Sequence, residues 1–267
     1  MLDAMRTRLA ALPGLCEVCR TSTAGDAAGD AAVAALAGEP ASGRHSGALC
    51  ANCLARFAAP RLRCPRCALP LAVPAPACGE CLASPPPFER AVTALDYVFP
   101  WDGLIQRFKF GAEPELARPL AALLARAVRA TADVPTLTAS RLPELVVPVP
   151  LAPARLRERG YNQAWELARH VAGTLSLPAR ADALLRVLDT PHQAGLDRRE
   201  RERNLRNAFA PAPRAARWLA GRRVALVDDV MTTGATVREA AAALRRGGAV
   251  AVDLWVLART PEPARAD

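Results

Sequence analysis

Aromatic residues are scarce in this sequence: phenylalanine, tryptophan and tyrosine make up 4% of its 267 residues. Long apolar runs are absent as well, and no stretch approaches the roughly 18 apolar residues that a membrane-spanning helix needs. The first residues include Asp3 and lack the apolar segment of a secretory signal. We therefore expect a cytoplasmic protein without membrane insertion, whose thiols stay reduced.

Acidic residues are fewer than basic ones, 26 against 35, which gives a formal net charge of +9. A basic balance favours phosphates, nucleic acid or acidic small molecules as partners. An arginine-rich solvated surface explains the same excess, so the charge alone assigns no ligand.

Cysteine is absent after residue 81, although the chain contains eight cysteines. They form four Cys-x-x-Cys pairs: Cys16 and Cys19, Cys50 and Cys53, Cys64 and Cys67, Cys78 and Cys81. One such turn directs two thiolates at a metal ion, and two turns complete a tetrahedral site. The eight sulfurs therefore predict two structural zinc ions with no coordination position left open for catalysis.

Two groupings of these pairs are open. A sequential arrangement joins the first pair to the second and the third to the fourth, whereas an interleaved one joins first to third and second to fourth. Only ten residues separate Cys67 from Cys78, which favours the sequential arrangement because a short ribbon is easier to build.

The composition changes at the prolines 85–87, where we place a linker at about 82–90. Residues 1–84 are predicted to form a small cysteine-rich zinc-ribbon module with a flexible insertion at 21–47. Residues 91–260 alternate between strand-like and helix-like segments, which indicates an α/β fold with a mostly parallel sheet. The predicted strands are 91–99, 145–149, 184–188, 224–227 and 250–257. The predicted helices are 102–110, 115–130, 162–175 and 236–246, the third with Asn162 as its N-cap.

Two adjacent carboxylates, Asp228 and Asp229, follow the apolar strand 224–227. Ligands of open α/β sheets bind at this carboxyl edge of the strands. The threonine- and glycine-containing loop and the helix start after it offer hydroxyls and free N–H groups to a phosphate. Two carboxylates beside a phosphate need hydroxyl donors or a divalent cation between them. This acidic pair and the loop therefore predict a sugar phosphate site.

Residues 224–236, VALVDDVMTTGAT, resemble the signature of type I phosphoribosyltransferases, which use phosphoribosyl pyrophosphate (PRPP). The resemblance implies the type I fold, a mostly parallel twisted sheet flanked by helices, here with the zinc-ribbon module in front. It also implies that the acidic pair binds the ribose 2′- and 3′-hydroxyls. The implied ligands of the 5′-phosphate form the phosphate loop: Met231, Thr232, Thr233, Gly234, Ala235 and Thr236.

Residues 146–151 (VVPVPL) and 154–164 (ARLRERGYNQA), with the cysteine pairs, are similar to the ComF subfamily of these proteins. By this resemblance the turn after the VVPVP strand binds pyrophosphate, with Arg155 and Arg159 as candidates because guanidinium groups match phosphate geometry. Either arginine could equally be a surface residue.

The same resemblance makes residues 189–210 a mobile hood over PRPP, with Gln193, Arg199 and Arg203 as candidate catalytic residues. A solvated helix with i,i+4 ion pairs is the competing interpretation of this charged stretch.

The resemblance implies displacement of pyrophosphate from PRPP by a nitrogen acceptor, with Mg²⁺ accompanying PRPP, in DNA uptake and competence or in nucleotide salvage. No acceptor is identified by any segment, and no glutaminase domain is present. The alternative is a non-catalytic PRPP sensor that binds single-stranded DNA and competence proteins. Seven aromatic residues near the module junction could stack on bases or form a core between the modules: Phe57, Phe88, Tyr97, Phe99, Trp101, Phe108 and Phe110.

Overall fold

The computed structural model describes residues 15–21, 49–132, 142–188 and 207–262. The chain forms two compact units, Met1–Ala59 and Pro60–Asp267. The hood candidates Gln193, Arg199 and Arg203 lie outside the described residues, as does the predicted insertion apart from Thr21.

The first unit is built around its four cysteines. Helix α1 (Ala51–Phe57) begins after Cys50, whose sulfur accepts a hydrogen bond from the Cys53 amide. Cys16, Cys50 and Cys53 are buried, and Val18 and Phe57 pack against them. The described part of this unit has few buried apolar side chains, so we expect its fold to depend on what the sulfurs bind.

The second unit contains the other four cysteines together with the sheet. Helix α2 (Gly79–Ala83) follows Cys78, and Arg63 and Pro70 form an antiparallel bridge around the Cys64–Cys67 turn. Packing therefore groups residues from Pro60 onward, while the domain limits 1–84 and 91–260 stay a prediction.

A four-stranded parallel sheet forms the centre of the second unit. Its strands are β1 (Arg90–Asp96), β2 (Leu145–Pro148), β5 (Arg223–Met231) and β6 (Ala251–Arg259), in the order β1-β6-β5-β2. All nine residues of β6 are buried, as expected for a central strand covered on both faces. The predicted α/β fold with a parallel sheet is confirmed.

Two further strands form a separate antiparallel pair, β3 (Leu184–Arg186) with β4 (Phe209–Pro211). The strand predicted over 184–188 thus exists but does not join the main sheet. The short apolar run at 184–188 indicates a strand but does not indicate which other strand it pairs with, because pairing is decided by residues distant in the chain.

Helices cover the sheet and bound its carboxyl edge. They are α3 (Trp101–Phe110), α4 (Ala117–Ala132, after a 3₁₀ turn at Pro114–Leu116), α5 (Pro153–Arg159), α6 (Gln163–Thr174), α7 (Ala216–Leu219) and α8 (Ala235–Arg246). Helices α4 and α6 pack on each other and on the strands, while α8 contacts β3 to β6. Among the described residues, no helix combines the length and apolarity needed to cross a bilayer.

Candidate functional site

The acidic pair lies near the carboxyl end of β5, but inside the strand and not after it, because β5 continues from the predicted end at Val227 to Met231. Asp228 is paired in register with Val256 of β6, and the strand ends at Met231 opposite Arg259. Asp228 and residues 230–237 line a cavity of about 190 Å³. The phosphate loop and one member of the acidic pair therefore face the same space.

The phosphate loop turns into helix α8 at Gly234. Gly234 is the N-cap and adopts a left-handed conformation with φ 80°, which an L side chain disfavours. The Arg238 amide donates to the Gly234 carbonyl at 2.9 Å. The amides of the first turn have no backbone acceptor within the helix, and the Ala235 amide donates to Thr233 Oγ1 at 3.5 Å. These N–H groups and the helix dipole make the loop suited to an anion.

Lys109, at the end of α3, forms an ion pair with Asp229, with 3.0 Å between Nζ and Oδ1. The Asp229 amide donates to Asp228 Oδ1 at 2.9 Å. Burial and the neighbouring charge of Asp229 raise the pKa of Asp228 to about 7, while Lys109 opposes the rise. Asp228 is thus half protonated near neutral pH, when no ligand is bound.

Arg159 is the predicted pyrophosphate ligand that the structure brings toward the acidic pair. Its Nη1 donates to Gln163 Oε1 at 3.2 Å, and its guanidinium lies 4.6 Å from the Phe110 ring centroid. Burial lowers the pKa of Arg159, and the charge of Asp229 opposes this shift. Arg155 lies one turn earlier on α5 and is half-buried, so its role stays a prediction.

The predicted pyrophosphate loop, after β2, is held beside β5 by backbone and side-chain contacts. The Val149 amide donates to the Val227 carbonyl at 2.8 Å. Asn162 donates to the Val149 carbonyl at 3.1 Å, and its Oδ1 caps α6 by accepting from the Ala164 and Trp165 amides. The predicted cap residue therefore also fixes the loop, because one side chain serves both.

Two residues of the site escaped the sequence-based predictions. Arg259, at the end of β6, donates to the carbonyls of Met231, Thr232 and Thr260 at 3.1, 2.5 and 2.7 Å. The sequence gives only a weak signal for Arg259, because it is a lone arginine at the end of an apolar run. Lys109 gave no usable signal, because an isolated lysine on an amphipathic helix is usually solvated.

The cysteines form two groups that follow chain order, which is the sequential arrangement. In the first cysteine group (Cys16, Cys19, Cys50, Cys53) and the second (Cys64, Cys67, Cys78, Cys81), the sulfurs all lie within 4.8 Å of one another. The Cys19–Cys50 and Cys67–Cys78 sulfurs are 3.8 and 3.6 Å apart. These separations exceed a disulfide bond and match the edge of about 3.8 Å of a tetrahedral zinc–sulfur site.

The chemistry of the sulfurs also fits a cation. Burial raises the pKa of the Cys53 and Cys81 thiols, so four thiolates need a bound cation to coexist. In the second group the Cys78 amide donates to Cys64 Sγ at 3.2 Å, a contact that supports a thiolate ligand.

The aromatic residues divide between core and surface. Phe88, Trp101 and Phe108 are buried, whereas Phe99 and Phe110 are 77% and 67% exposed; a core between the modules stays a prediction. Phe110 lies beside the candidate site through its contact with Arg159.

Comparison with known proteins gives matches over most of the chain. A family model described as phosphoribosyl transferase domain matches residues 178–267. The chain is 36% identical over 249 residues to the DNA utilization protein YhgH of Escherichia coli K12, covering 93% of this chain and 98% of YhgH. It is 40% identical over 196 residues to competence protein F of Haemophilus influenzae, covering 73% of this chain and 84% of that protein.

Solved structures are more distant. The protein TT1426 from Thermus thermophilus is 19% identical with a TM-score of 0.33, covering 56% of this chain and 86% of that one. Glutamine PRPP amidotransferase from B. subtilis is 18% identical with a TM-score of 0.33, covering 55% of this chain and 26% of that one. These two likenesses carry no inference about function.

Proposed function

The chain belongs to the ComF/YhgH family of DNA utilization and competence proteins, and we propose that its phosphoribosyltransferase-like domain binds PRPP with Mg²⁺. We propose further that it transfers the phosphoribosyl group to a nitrogen acceptor, in DNA utilization or nucleotide salvage. The observation that carries the proposal is the cavity in which Asp228 faces the phosphate loop and the start of α8.

Each part of PRPP finds a complementary group in this arrangement. The 5′-phosphate would accept hydrogen bonds from the loop amides and the threonine hydroxyls. The ribose hydroxyls would donate to the acidic pair, which requires carboxylates rather than carboxylic acids as acceptors. The pyrophosphate would contact Arg159, and Arg155 if that side chain turns inward.

The proposed reaction breaks the bond between C1 of the ribose and the pyrophosphate oxygen and forms a bond from C1 to the acceptor nitrogen. The nitrogen supplies the electron pair and then releases a proton to solvent, and the pyrophosphate leaves with the electrons of the broken bond. Mg²⁺ bound with PRPP supplies charge neutralisation for the leaving group. Arg159 would add a fixed positive charge that stabilises the negative charge developing on the pyrophosphate as the ribose acquires oxocarbenium character.

Calorimetry with Mg–PRPP tests binding, and Asp228→Asn and Asp229→Asn are the informative variants. Loss of a hydrogen bond to a charged acceptor is expected to weaken binding by at least about tenfold in each. Asp182→Asn is the matched control, because Asp182 is exposed and lies before β3, and its affinity should equal that of the wild type. Wild-type protein that gives no heat and no protection with Mg–PRPP refutes the proposal.

Pyrophosphate release across a panel of nucleobases and amines tests transfer. Turnover with any acceptor, lost in Asp229→Asn, supports an enzyme. Binding of Mg–PRPP without turnover across the panel favours the second candidate function.

That second candidate is a PRPP sensor that binds single-stranded DNA, and the exposed Phe99 and Phe110 rings favour it. Single-strand grooves combine stacking aromatic rings with arginines, and Arg159 lies over Phe110. Salt-dependent binding of a labelled oligonucleotide that persists in Asp228→Asn and falls in Phe110→Ala would support it. Equal binding by the wild type and Phe110→Ala would remove Phe110 from this role.

A further inference from the structure

The second cysteine group lies against the phosphate loop. A narrow cleft is lined by Cys67, Glu80 and Cys81 on one side and by Thr233, Gly234 and Arg238 on the other. The two sites therefore share a boundary, although their residues are separated by more than a hundred positions in the chain.

One side chain spans this boundary. Arg259 is 8% exposed, and its Nε donates to the Cys67 carbonyl at 3.2 Å. Its Nη1 donates to the carbonyls of Met231 and Thr232, the first two residues of the phosphate loop. A planar guanidinium fixes these donors relative to one another, so a shift of the Cys67 carbonyl alters the support of the loop.

One half of the second cysteine group is attached to β1, which pairs with β6, and the other half is attached to α8, which follows the phosphate loop. The Ala91 amide of β1 donates to the Pro65 carbonyl at 2.9 Å, inside the Cys64–Cys67 turn. On the other half, Glu80 lies 3.8 Å from Arg238 of α8. Metal binding would fix the distance between these halves, because both supply ligands to one ion.

We propose that Arg259 is a positioning residue that couples metal occupancy of the second cysteine group to the order of the phosphate loop. With metal bound, the Cys67 carbonyl is held in place, and Arg259 holds the carbonyls of the loop. Metal loss frees that carbonyl and loosens the loop. Coupling is reciprocal, so a ligand that orders the loop also retains the metal. The consequence for PRPP affinity rests on the proposed function, whereas the effect on the loop itself does not.

Hydrogen exchange of the full zinc-loaded chain, without PRPP, tests the coupling. Removal of zinc by a chelator should speed amide exchange in the peptide covering Met231–Val237 by about fivefold or more in the wild type. In Arg259→Gln the exchange should already be fast with zinc bound and should change little on chelation. If the glutamine variant fails to fold, Arg259→Lys takes its place in the experiment. This variant keeps the charge but lacks the planar fork, so it should also uncouple the two sites.

Arg223→Gln is the control, because Arg223 is a partly buried arginine of the same sheet that pairs with Asp253 at the opposite edge. It should lower stability while leaving the response of the loop to zinc intact. A wild-type loop whose exchange is unchanged by zinc removal overturns the proposal, as does an Arg259→Gln loop that responds like the wild type.

Cysteine alkylation during chelation, read by peptide mapping, tests the reciprocal effect. Mg–PRPP should slow labelling of Cys64, Cys67, Cys78 and Cys81 by about fivefold or more, and this protection should vanish in Arg259→Gln. The first cysteine group is the internal control and should label at an unchanged rate. If calorimetry shows no heat with PRPP but exchange in the loop still responds to zinc removal, the proposed function is refuted and the coupling is supported. PRPP heat with unprotected cysteines counts against the coupling alone.

Discussion

At the scale of single residues, the charges of the site depend on a few close neighbours. Asp228 and Asp229 are adjacent in the chain, and Lys109 is in direct contact with Asp229. The raised pKa of Asp228 follows from burial and from the charge of Asp229. Because the ribose hydroxyls need an ionised acceptor, the protonation state of Asp228 should control the affinity for PRPP.

PRPP affinity is therefore expected to rise with pH. Below about pH 7 binding must expel the proton of Asp228, which weakens affinity by up to about tenfold per pH unit. Above that pH this effect ends. Calorimetry between pH 5.5 and 8.5 measures the slope, and Asp228→Asn corrects for titration of PRPP itself. Identical slopes in both proteins would contradict the prediction.

The same group affects stability in the opposite sense. A carboxyl whose pKa is higher in the folded than in the unfolded chain binds its proton more tightly when folded. Its contribution therefore stabilises the fold at low pH and is lost as pH rises from the ordinary value of 3.8 to about 7. Asp228→Asn removes the charge, so it should raise stability at pH 8 relative to wild type and change it little at pH 4.

Lys109→Gln removes a cation that, together with Arg186, opposes protonation of Asp228. The midpoint of the PRPP affinity profile should move to higher pH, because the pKa of Asp228 rises when a nearby positive charge is lost. PRPP affinity at pH 7 should fall, because both the acidic pair and the anionic ligand lose a counter-charge. Lys109→Arg keeps the charge and should leave the midpoint near its original value. The shift is read from the same calorimetric series, and an unmoved midpoint in Lys109→Gln would show that the ion pair does not tune the site.

At the scale of elements, the turn from β5 into α8 depends on backbone conformation more than on space. A Cβ added at Gly234 would lie 3.4 Å from Met231 Sδ, an ordinary contact, but the φ of 80° is unfavourable for it. The turn therefore uses glycine for its dihedral angle. This local requirement sets the direction in which the helix amides point.

Gly234→Ala should destabilise the protein by about 1 kcal/mol and weaken PRPP binding, because the loop must change its dihedral angle. Gly173→Ala is the matched control: Gly173 is an exposed position in α6 with no atom within 4 Å of an added Cβ. That change should raise stability by about 0.5–1 kcal/mol. Urea unfolding of both variants measures the change in the free energy of unfolding, which should have opposite signs in the two proteins.

At the scale of the whole molecule, the two cysteine groups belong to different units. The first lies within Met1–Ala59 and the second within Pro60–Asp267, the unit that contains the sheet. Their loss should therefore have different consequences, even though both have the same ligand set.

Each wild-type chain should contain two zinc ions by elemental analysis. Cys81→Ser should lower the melting temperature of the main calorimetric transition by more than about 5 °C. It removes a metal site from the unit Pro60–Asp267, whose unfolding we expect to give that transition. Cys53→Ser should lose one zinc and leave that transition nearly unchanged. Equal effects of the two substitutions would contradict the separate roles of the groups.

The sequence alone determined the features whose signals are local. The spacing of the cysteine pairs predicts both metal-binding groups, and the run from Val224 to Thr236 predicts the strand, the acidic pair, the loop and the helix. Asn162 is identified as a cap from its position before an amphipathic segment. Such patterns are readable because they depend on residues within one or two turns of each other.

Only the tertiary structure decided which distant residues meet. Lys109 contacts Asp229, β3 pairs with β4 outside the main sheet, and Arg259 reaches Cys67, which is 192 positions away. The placement of the second cysteine group beside the phosphate loop follows from the contact between Arg259 and Cys67. The burial that raises the pKa of Asp228 also arises only when the chain packs. Burial and pairing between distant segments arise when the chain packs into its core, and the periodicity of one segment contains no information about its partner.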